Sequence, residues 1–272
     1  MNNNARLGEG ASSVVRLCAP VKSTGESVSF ISYRYAHLQS EVWHSHKTAQ
    51  LTYASQGSIK IHTATGIWTL PPYRGLWIPA ELPHQIHALG AAVTHNLYLP
   101  EDTVTKQVGD FCVILVSKMV HSLIEVLTPP GEEKERHQQR YPLMLPLLLH
   151  ELNAAASASA GFLPFPRERR LRAVTRILTE DISNDDTLDQ LSAGIGATPR
   201  TLSRLFRHDT GLTFAQWRQQ LKVMESISLM AQGYTIEEIA HRLGYFNGSA
   251  FIVMFRKTLG ETPQRYFNRF KD

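Results

Sequence analysis

Hydrophobic positions change rhythm along the chain. Before residue 117 they fall in short runs rich in β-branched and aromatic residues, separated by Gly, Pro and polar clusters. That pattern predicts strands, because a pleated surface favours such side chains and turns need the others. The expected strands are Ser12–Leu17, Val28–Tyr35, Gln50–Tyr53, Ile67–Leu70, Gly75–Ile78, Ala92–Leu99 and Phe111–Val116, with two more strand ends inside Gly57–Gly66. Many short strands with little helical periodicity point to a small sandwich or barrel. Residues 1 to about 12 read as disordered.

From Ser117, a natural helix cap, the spacing turns helical: Met119, Leu123, Ile124 and Leu127 recur on one face until Pro129-Pro130. A charged stretch, Glu132–Arg136, leads to a second helix over Leu143–Leu152 despite Pro146. These two helices serve either as a homodimer surface or as cover for their own sheet. The Ala- and Ser-rich run 154–164 reads as a linker between an effector-sensing and dimerisation domain, 12–153, and a DNA-binding domain, 165–272.

The C-terminal domain states one pattern twice. The first copy is Leu188, Leu191, Gly196, Leu202, Phe206 and Gly211-Leu-Thr213-Phe-Ala-Gln-Trp217; the second is Ile236, Ile239-Ala240, Gly244, Phe251, Phe255 and Gly260-Glu-Thr262-Pro-Gln-Arg-Tyr266. Each opens with a capping box, Thr187-x-x-Gln190 and Thr235-x-x-Glu238, and turns at a glycine into a second short helix. That is a helix-turn-helix written twice. Thr213–Ala231 predicts a long helix joining the copies, and Pro166–Thr179 a helix before them, with Arg169, Arg170 and Arg172 turned to phosphate.

The run Ile239-Ala240-x-x-x-Gly244-Tyr245-x-x-x-Ser249-x-Phe251-x-x-x-Phe255-Arg256-x-x-x-Gly260-x-Thr262-Pro263-x-x-Tyr266 resembles the AraC/XylS family of transcription regulators. The resemblance covers about the last hundred residues. It departs at Phe267, where an arginine is usual, at the expense of at most one phosphate contact. The first recognition helix starts at Thr198-Pro199 and leaves Arg200, Thr201, Ser203, Arg204, Arg207 and His208 outward. Arg200 and Arg204 lie one turn apart and are assigned to bases, the other basic residues to phosphate. In the second helix, Asn247–Lys257, the family match turns Gly248, Ser249, Ile252 and Val253 to DNA, with Arg256 and Lys257 on phosphate. With so few long donors, readout there falls to thymine methyls or to DNA shape. The family's rigid connecting helix implies that both readers enter successive major grooves.

The N-terminal half holds a histidine constellation. His44-Ser-His46 places two imidazoles on one side of a strand, and Gln50, Gly57, Pro79, His84 and His87 follow. The order resembles the cupin barrel, whose motifs are His-x-His, a carboxylate and a glycine, then a proline and a histidine. The resemblance puts His44, His46 and His84 at ligand positions, with Gln50 where a glutamate is usual and the leading glycine out of place. Three readings remain open: a divalent metal on neutral imidazoles, a metal-free effector among His44, His46, Gln50, His84 and His87, or histidines that only hydrogen-bond within the domain. Trp43, Tyr53, Trp68, Tyr73 and Trp77 are expected as core or lip residues.

Charge sharpens this picture. From residue 165 onward there are 16 Lys and Arg against 12 Asp and Glu, while the rest is balanced, so the net +4 lies with the repeat. A basic excess coinciding with a helix-turn-helix pair favours double-stranded DNA as partner. Two cysteines, Cys18 and Cys112, give no disulfide framework, and no run suggests a signal peptide or membrane span, which reads as cytoplasmic. The expected whole is an α+β multidomain chain: a cupin-like β-barrel with flanking helices, then an all-α pair of helix-turn-helix motifs joined by a long helix. It is expected to act without catalysis, as an effector-responsive repressor or activator of a neighbouring efflux transporter or metabolic gene, as the resemblance implies. The alternatives are a metal-dependent cupin enzyme with an accessory domain, and a constitutive DNA-binding protein with a structural barrel.

Overall fold

The computed structural model describes residues 15–16, 21–22, 28–100, 103, 111–128, 140–155, 157–158 and 161–268. The expected disordered start, the ends of the first predicted strand and the charged stretch Glu132–Arg136 lie outside them. The strands are β1 (Val15–Arg16), β2 (Val21–Lys22), β3 (Ser29–Tyr35), β4 (Ala49–Gln56), β5 (Ile59–Thr63), β6 (Gly66–Leu70), β7 (Arg74–Ile78), β8 (His84–Ala88), β9 (Ala92–Leu99), β10 (Cys112–Leu115), β11 (Ser157–Ala158) and β12 (Phe162–Pro164). The helices are α1 (Lys118–Leu127), α2 (Tyr141–Ala154), α3 (Arg169–Glu180), α4 (Leu188–Ser192), α5 (Pro199–Thr210), α6 (Phe214–Ala231), α7 (Ile236–Arg242), α8 (Gly248–Leu259) and α9 (Pro263–Asn268).

The expected closed barrel does not form. One sheet runs β1-β3-β9-β4-β7-β10-β11 with β2 on β3, and the other runs β12-β6-β5-β8. Both are open. Closure needs an unbroken ladder with one consistent shear, whereas the larger sheet ends on β1 and β11, strands of two residues each. Alternating hydrophobicity decides which face is buried and leaves the pairing of edges unspecified, so the strand pattern suits a barrel and an open pair of sheets equally.

The chain divides into two compact units, residues 1–63 with 70–160, and 64–69 with 161–268 and beyond. In the first, β9 pairs with β3 on one side and β4 on the other, with Tyr53 opposite His95 and Gln50 opposite Tyr98. Nearly all of β4 is buried, as a strand covered on both faces must be. One face packs Phe30, Leu51, Tyr53, Trp77 and Leu97 under α1 and α2. Ser117 caps α1 by accepting from the Val120 amide, and Val120, Leu123, Ile124 and Leu127 point inward. Met119, expected inside, is exposed instead. α2 buries Tyr141, Leu145, Leu148 and Leu152 and tolerates Pro146. Of the expected core aromatics, Tyr53 and Trp77 are fully buried and Trp43 stands half-exposed.

The second unit is helical apart from the pair β6–β12. Its residues form two apolar clusters, and α6 serves both: Phe214, Trp217 and Met224 in one, Val223, Ile227 and Leu229 in the other. Both expected capping boxes are present, Thr187 with Gln190 and Thr235 with Glu238, and a third, Thr213 with Gln216, starts α6. β12 is tied to α6 where the Trp217 indole donates to the Pro164 carbonyl at 2.9 Å.

The two turn glycines differ in what surrounds them. Gly196 and Gly244 both have positive φ, +69° and +78°. A Cβ on Gly196 would meet nothing within 4 Å, whereas one on Gly244 would lie 2.7 Å from the Ser183 carbonyl oxygen. Gly196→Ala should therefore cost about 1–2 kcal/mol, the left-handed penalty alone. Gly244→Ala adds a backbone collision and should cost roughly 3 kcal/mol or more. Urea unfolding of the full chain checks this, and equal losses would contradict it.

Candidate histidine site and DNA-reading surface

The backbone brings the two histidine motifs together before any side chain is considered. His44 and His84 form an isolated bridge, each amide donating to the other's carbonyl at 3.0 and 2.9 Å, and the Glu81 amide donates to the His46 carbonyl at 2.7 Å. One ring nitrogen from each of His44, His46 and His84 then lies within 4.8 Å of the others. Gln50 closes the group, its Oε1 3.0 Å from His84 Nε2 and its amide nitrogen donating to Asn96 Oδ1 at 2.9 Å. His87 lies elsewhere. Three residues after His84 on a strand, it faces the other way and packs on His62, with ring centroids 4.4 Å apart.

These imidazoles are suited to ligation. Burial first, then the neighbouring rings, pushes His46 down to about 3; burial pushes His84 to about 4, so both are neutral at pH 7. Nδ1 of His44 lies 2.8 Å from the Val42 carbonyl and Nδ1 of His84 lies 2.9 Å from that of Leu82. A proton held on His44 Nδ1 leaves its Nε2 lone pair for a ligand, whereas His84 Nε2 faces the Gln50 oxygen, itself an acceptor, and has to exchange that contact to ligate. His46 Nε2 is enclosed without a hydrogen-bond partner. A carboxyl group is also at hand: Glu41 Oε2 lies 3.4 Å from His44 Nε2, and the Tyr35 hydroxyl donates to the same carboxyl group. Burial raises the Glu41 pKa. The donor set fits a divalent metal of the zinc type, held by His44, His46 and His84, where it would act as a Lewis acid or an anchor for an anionic ligand. Glu41 was not a sequence candidate because the motif places its carboxylate after His-x-His, and this one precedes it.

A second polar group occupies the opposite face of the same sheet, since Tyr53 and His95 alternate with Gln50 and Asn96 in pleat direction. His95 lies between Ser32 Oγ at 2.8 Å and Ser55 Oγ at 3.0 Å and stacks on Tyr53. The Tyr53 hydroxyl meets His121 Nδ1 at 3.0 Å, and His121 Nε2 lies 3.4 Å from Glu125. Nothing in the local sequence marks these residues; only strand register unites them.

On the second unit, the outward faces of α5 and α8 correspond at a constant offset. Leu202 and Phe206 match Phe251 and Phe255 inside; Arg200, Ser203, Arg204 and Arg207 match Ser249, Ile252, Val253 and Arg256 outside. Arg200, Ser203, Arg204 and Arg207 are exposed, and Thr201 is half-buried beside the cap residue Thr198. Ser249, Val253, Arg256 and Lys257 are exposed and Ile252 is half-buried. Gly248 is buried: its amide donates to Glu237 Oε2 at 2.9 Å, and a Cβ there would lie 2.5 Å from Glu237 Oε1. Arg170, grouped in sequence with phosphate contacts, pairs with Glu168 at 2.7 Å.

A β-sheet unit holding a histidine cluster, on the same chain as two helix-turn-helix units, has the make-up of a one-component transcriptional regulator. Comparison with known proteins agrees: the AraC-like ligand binding domain family matches residues 28–152, and a helix-turn-helix domain family matches residues 191–269. The chain belongs to the AraC/XylS family of helix-turn-helix transcriptional regulators with an N-terminal ligand-binding domain. It is a sequence-specific DNA-binding regulator. It is 29% identical to the HTH-type transcriptional regulator NimR of Escherichia coli over 83% of this chain and 82% of that protein. It is 31% identical to the regulator RipA of Corynebacterium glutamicum over 38% of this chain and 31% of that one. Among solved structures, ToxT of Vibrio cholerae aligns over 88% of this chain and 97% of its own, at 12% identity and a TM-score of 0.37. These relatives are regulators, not enzymes. Among the described residues, no helix is long and apolar enough to cross a membrane.

The buried histidines set a pH dependence. Burial and His121 push His95 down to about 4, against about 6.5 in an unfolded chain. Between those values the unfolded chain binds more protons, so stability is full above about pH 6.5 and falls as pH drops toward 4. His46, His62 and His84 act in the same direction. Urea unfolding at pH 7 and pH 5, read by pulsed hydrogen exchange of β4 and β9 peptides, should show this loss. His95→Gln should be less stable at pH 7 yet lose less by pH 5; an unchanged loss would contradict the assignment.

Proposed function

We propose that a small molecule binds among His44, His46, Gln50 and His84 and alters how the two readers meet DNA. The observation that carries this reading is the enclosed His46 Nε2, which has no hydrogen-bond partner and lies in a cluster with His44 and His84, an arrangement that costs stability unless a ligand uses it. The sensing part is assigned to 12–153, the connection to 154–164 and the reader to 165–272. Arg200 and Arg204 contact bases, and Arg207, Arg256 and Lys257 contact phosphates. Leu143 and Leu147 on α2, with Met119 on α1, are exposed apolar residues and support a homodimer through these helices. The protein works in the cytoplasm, and its target is a neighbouring efflux transporter or metabolic gene.

Two variants separate the parts. Arg204→Ala should weaken cognate binding by roughly 1–3 kcal/mol, the value of a good base contact, and leave random DNA almost unaffected; equal losses on both would reduce Arg204 to a phosphate contact. For the sensor, Zn2+ is titrated by calorimetry into the full chain. One equivalent is expected to bind, to be lost in His46→Ala, and to leave DNA affinity of the metal-free variant unchanged. Wild type that ignores Zn2+ would assign the cluster to a metal-free organic effector.

A further inference from the structure

The two reading faces have the same geometry and opposite chemistry. At matched places, Arg204 of α5 corresponds to Val253 of α8 and Ser203 corresponds to Ile252, while Arg207 keeps its charge as Arg256. Ser249, Ile252, Val253 and Arg256 follow the i, i+3, i+4, i+7 spacing of one helix stripe. The phosphate-type position is thus conserved between the copies, and the base-type positions are not.

Phe246 extends this difference. It precedes the cap residue Asn247, whose side chain accepts from the Ala250 amide at 2.9 Å. A hydrophobic residue at that position ordinarily folds back on the fourth residue of the helix. In the first copy Ala197, the matching residue, does pack against its core cluster. In the second, the fourth residue is Phe251, and Tyr245 meets it instead, with ring centroids 6.0 Å apart. Phe246 is left 98% exposed and Val253 67% exposed. A phenylalanine without a packing role, before a helix whose outer stripe carries Ile252 and Val253 at its centre and Arg256 at its end, with Lys257 exposed beside it, suits a surface that is itself anionic with apolar points.

We propose that α8 reads thymine 5-methyl groups through Phe246, Ile252 and Val253, so that the operator is asymmetric: a half recognised by arginine hydrogen bonds and a half recognised by methyl contact. The thymine methyl is the one apolar group in the major groove, and the flanking cations supply charge complementarity for the backbone around it. Donor-poor residues cannot distinguish guanine from adenine, and they gain from burying a methyl. This rests on the DNA-binding reading of the two helices.

The test replaces thymine by deoxyuridine, which removes only the methyl and keeps every hydrogen-bonding group. An operator is first selected from random duplexes with the full-length protein, and its halves are assigned by footprinting with Arg204→Ala. Deoxyuridine in the α8 half should weaken binding about four-fold per buried methyl; in the α5 half it should have no effect. In Phe246→Ala/Val253→Ala, both exposed positions, the deoxyuridine penalty should vanish, and Phe246→Ala alone should remove part of it. A wild-type affinity indifferent to deoxyuridine, or an equal penalty in wild type and variant, would overturn the proposal while leaving DNA recognition intact. Failure to select any operator would instead sink the DNA-binding reading, and this one with it.

Discussion

Everything the reader does depends on α6 being buried from two directions. A helix of 18 residues spans about 27 Å, and this one gives Phe214, Trp217 and Met224 to one apolar cluster and Val223, Ile227 and Leu229 to the next. Each helix-turn-helix unit completes its apolar cluster with residues of this one helix. The shared helix therefore fixes the spacing of α5 and α8 as a condition of folding. Lys222 reinforces it: buried in mid-helix, it donates to the Leu243 carbonyl at 2.7 Å, at the C-terminal end of α7, where the helix dipole favours a cation. Its ammonium also lies over the Tyr245 ring. The stiff element between the readers is thus held to the second of them by a charge-assisted hydrogen bond as well as by packing.

In the N-terminal unit the corresponding constraint is the pleat. Because β4 and β9 are covered on both sides, the polar residues they carry face no water, and each such residue needs a partner. One face answers with Gln50, Asn96 and the His44–His46–His84 group, the other with Ser32, Tyr53, His95, Ser55 and His121. The second group satisfies its ring nitrogens internally; the first leaves His46 Nε2 enclosed and unpaired. That asymmetry separates a network whose hydrogen bonds are complete from one with an unused nitrogen at its centre.

The helical half was legible in sequence because its signals are local. A Thr with Gln or Glu three places on, a glycine at the turn and apolar residues at helical spacing are short-range chemistry, and each became the expected cap or buried face. Sheet closure was not legible, since edge pairing joins residues far apart and the alternation pattern says nothing about it. The same limit applied to the histidines. His44 and His46 were visible through a two-residue spacing, while His95 and His121 meet only through register and the packing of α1. His87 was grouped with His84 by nearness in sequence, although an odd separation on a strand points it away. Glu41 escaped because its contribution comes from the wrong side of the motif. Gly248 was matched to a DNA-facing position by family pattern, and the Glu237 carboxylate that occupies its open side belongs to the preceding helix.

The repeat also carries a physical argument about how such a reader can diversify. Its inward positions are bound by packing: Leu202, Phe206, Phe251 and Phe255 are all fully buried, and a change there is felt throughout a close-packed core. Its phosphate-type positions answer to a backbone that is the same on every sequence. Only the stripe between these constraints is free to vary, and there Arg204 and Val253 occupy matching places on helices of equal length. One geometry can then hold two chemistries, because the energy that positions each helix comes from its inward residues and not from its outward stripe.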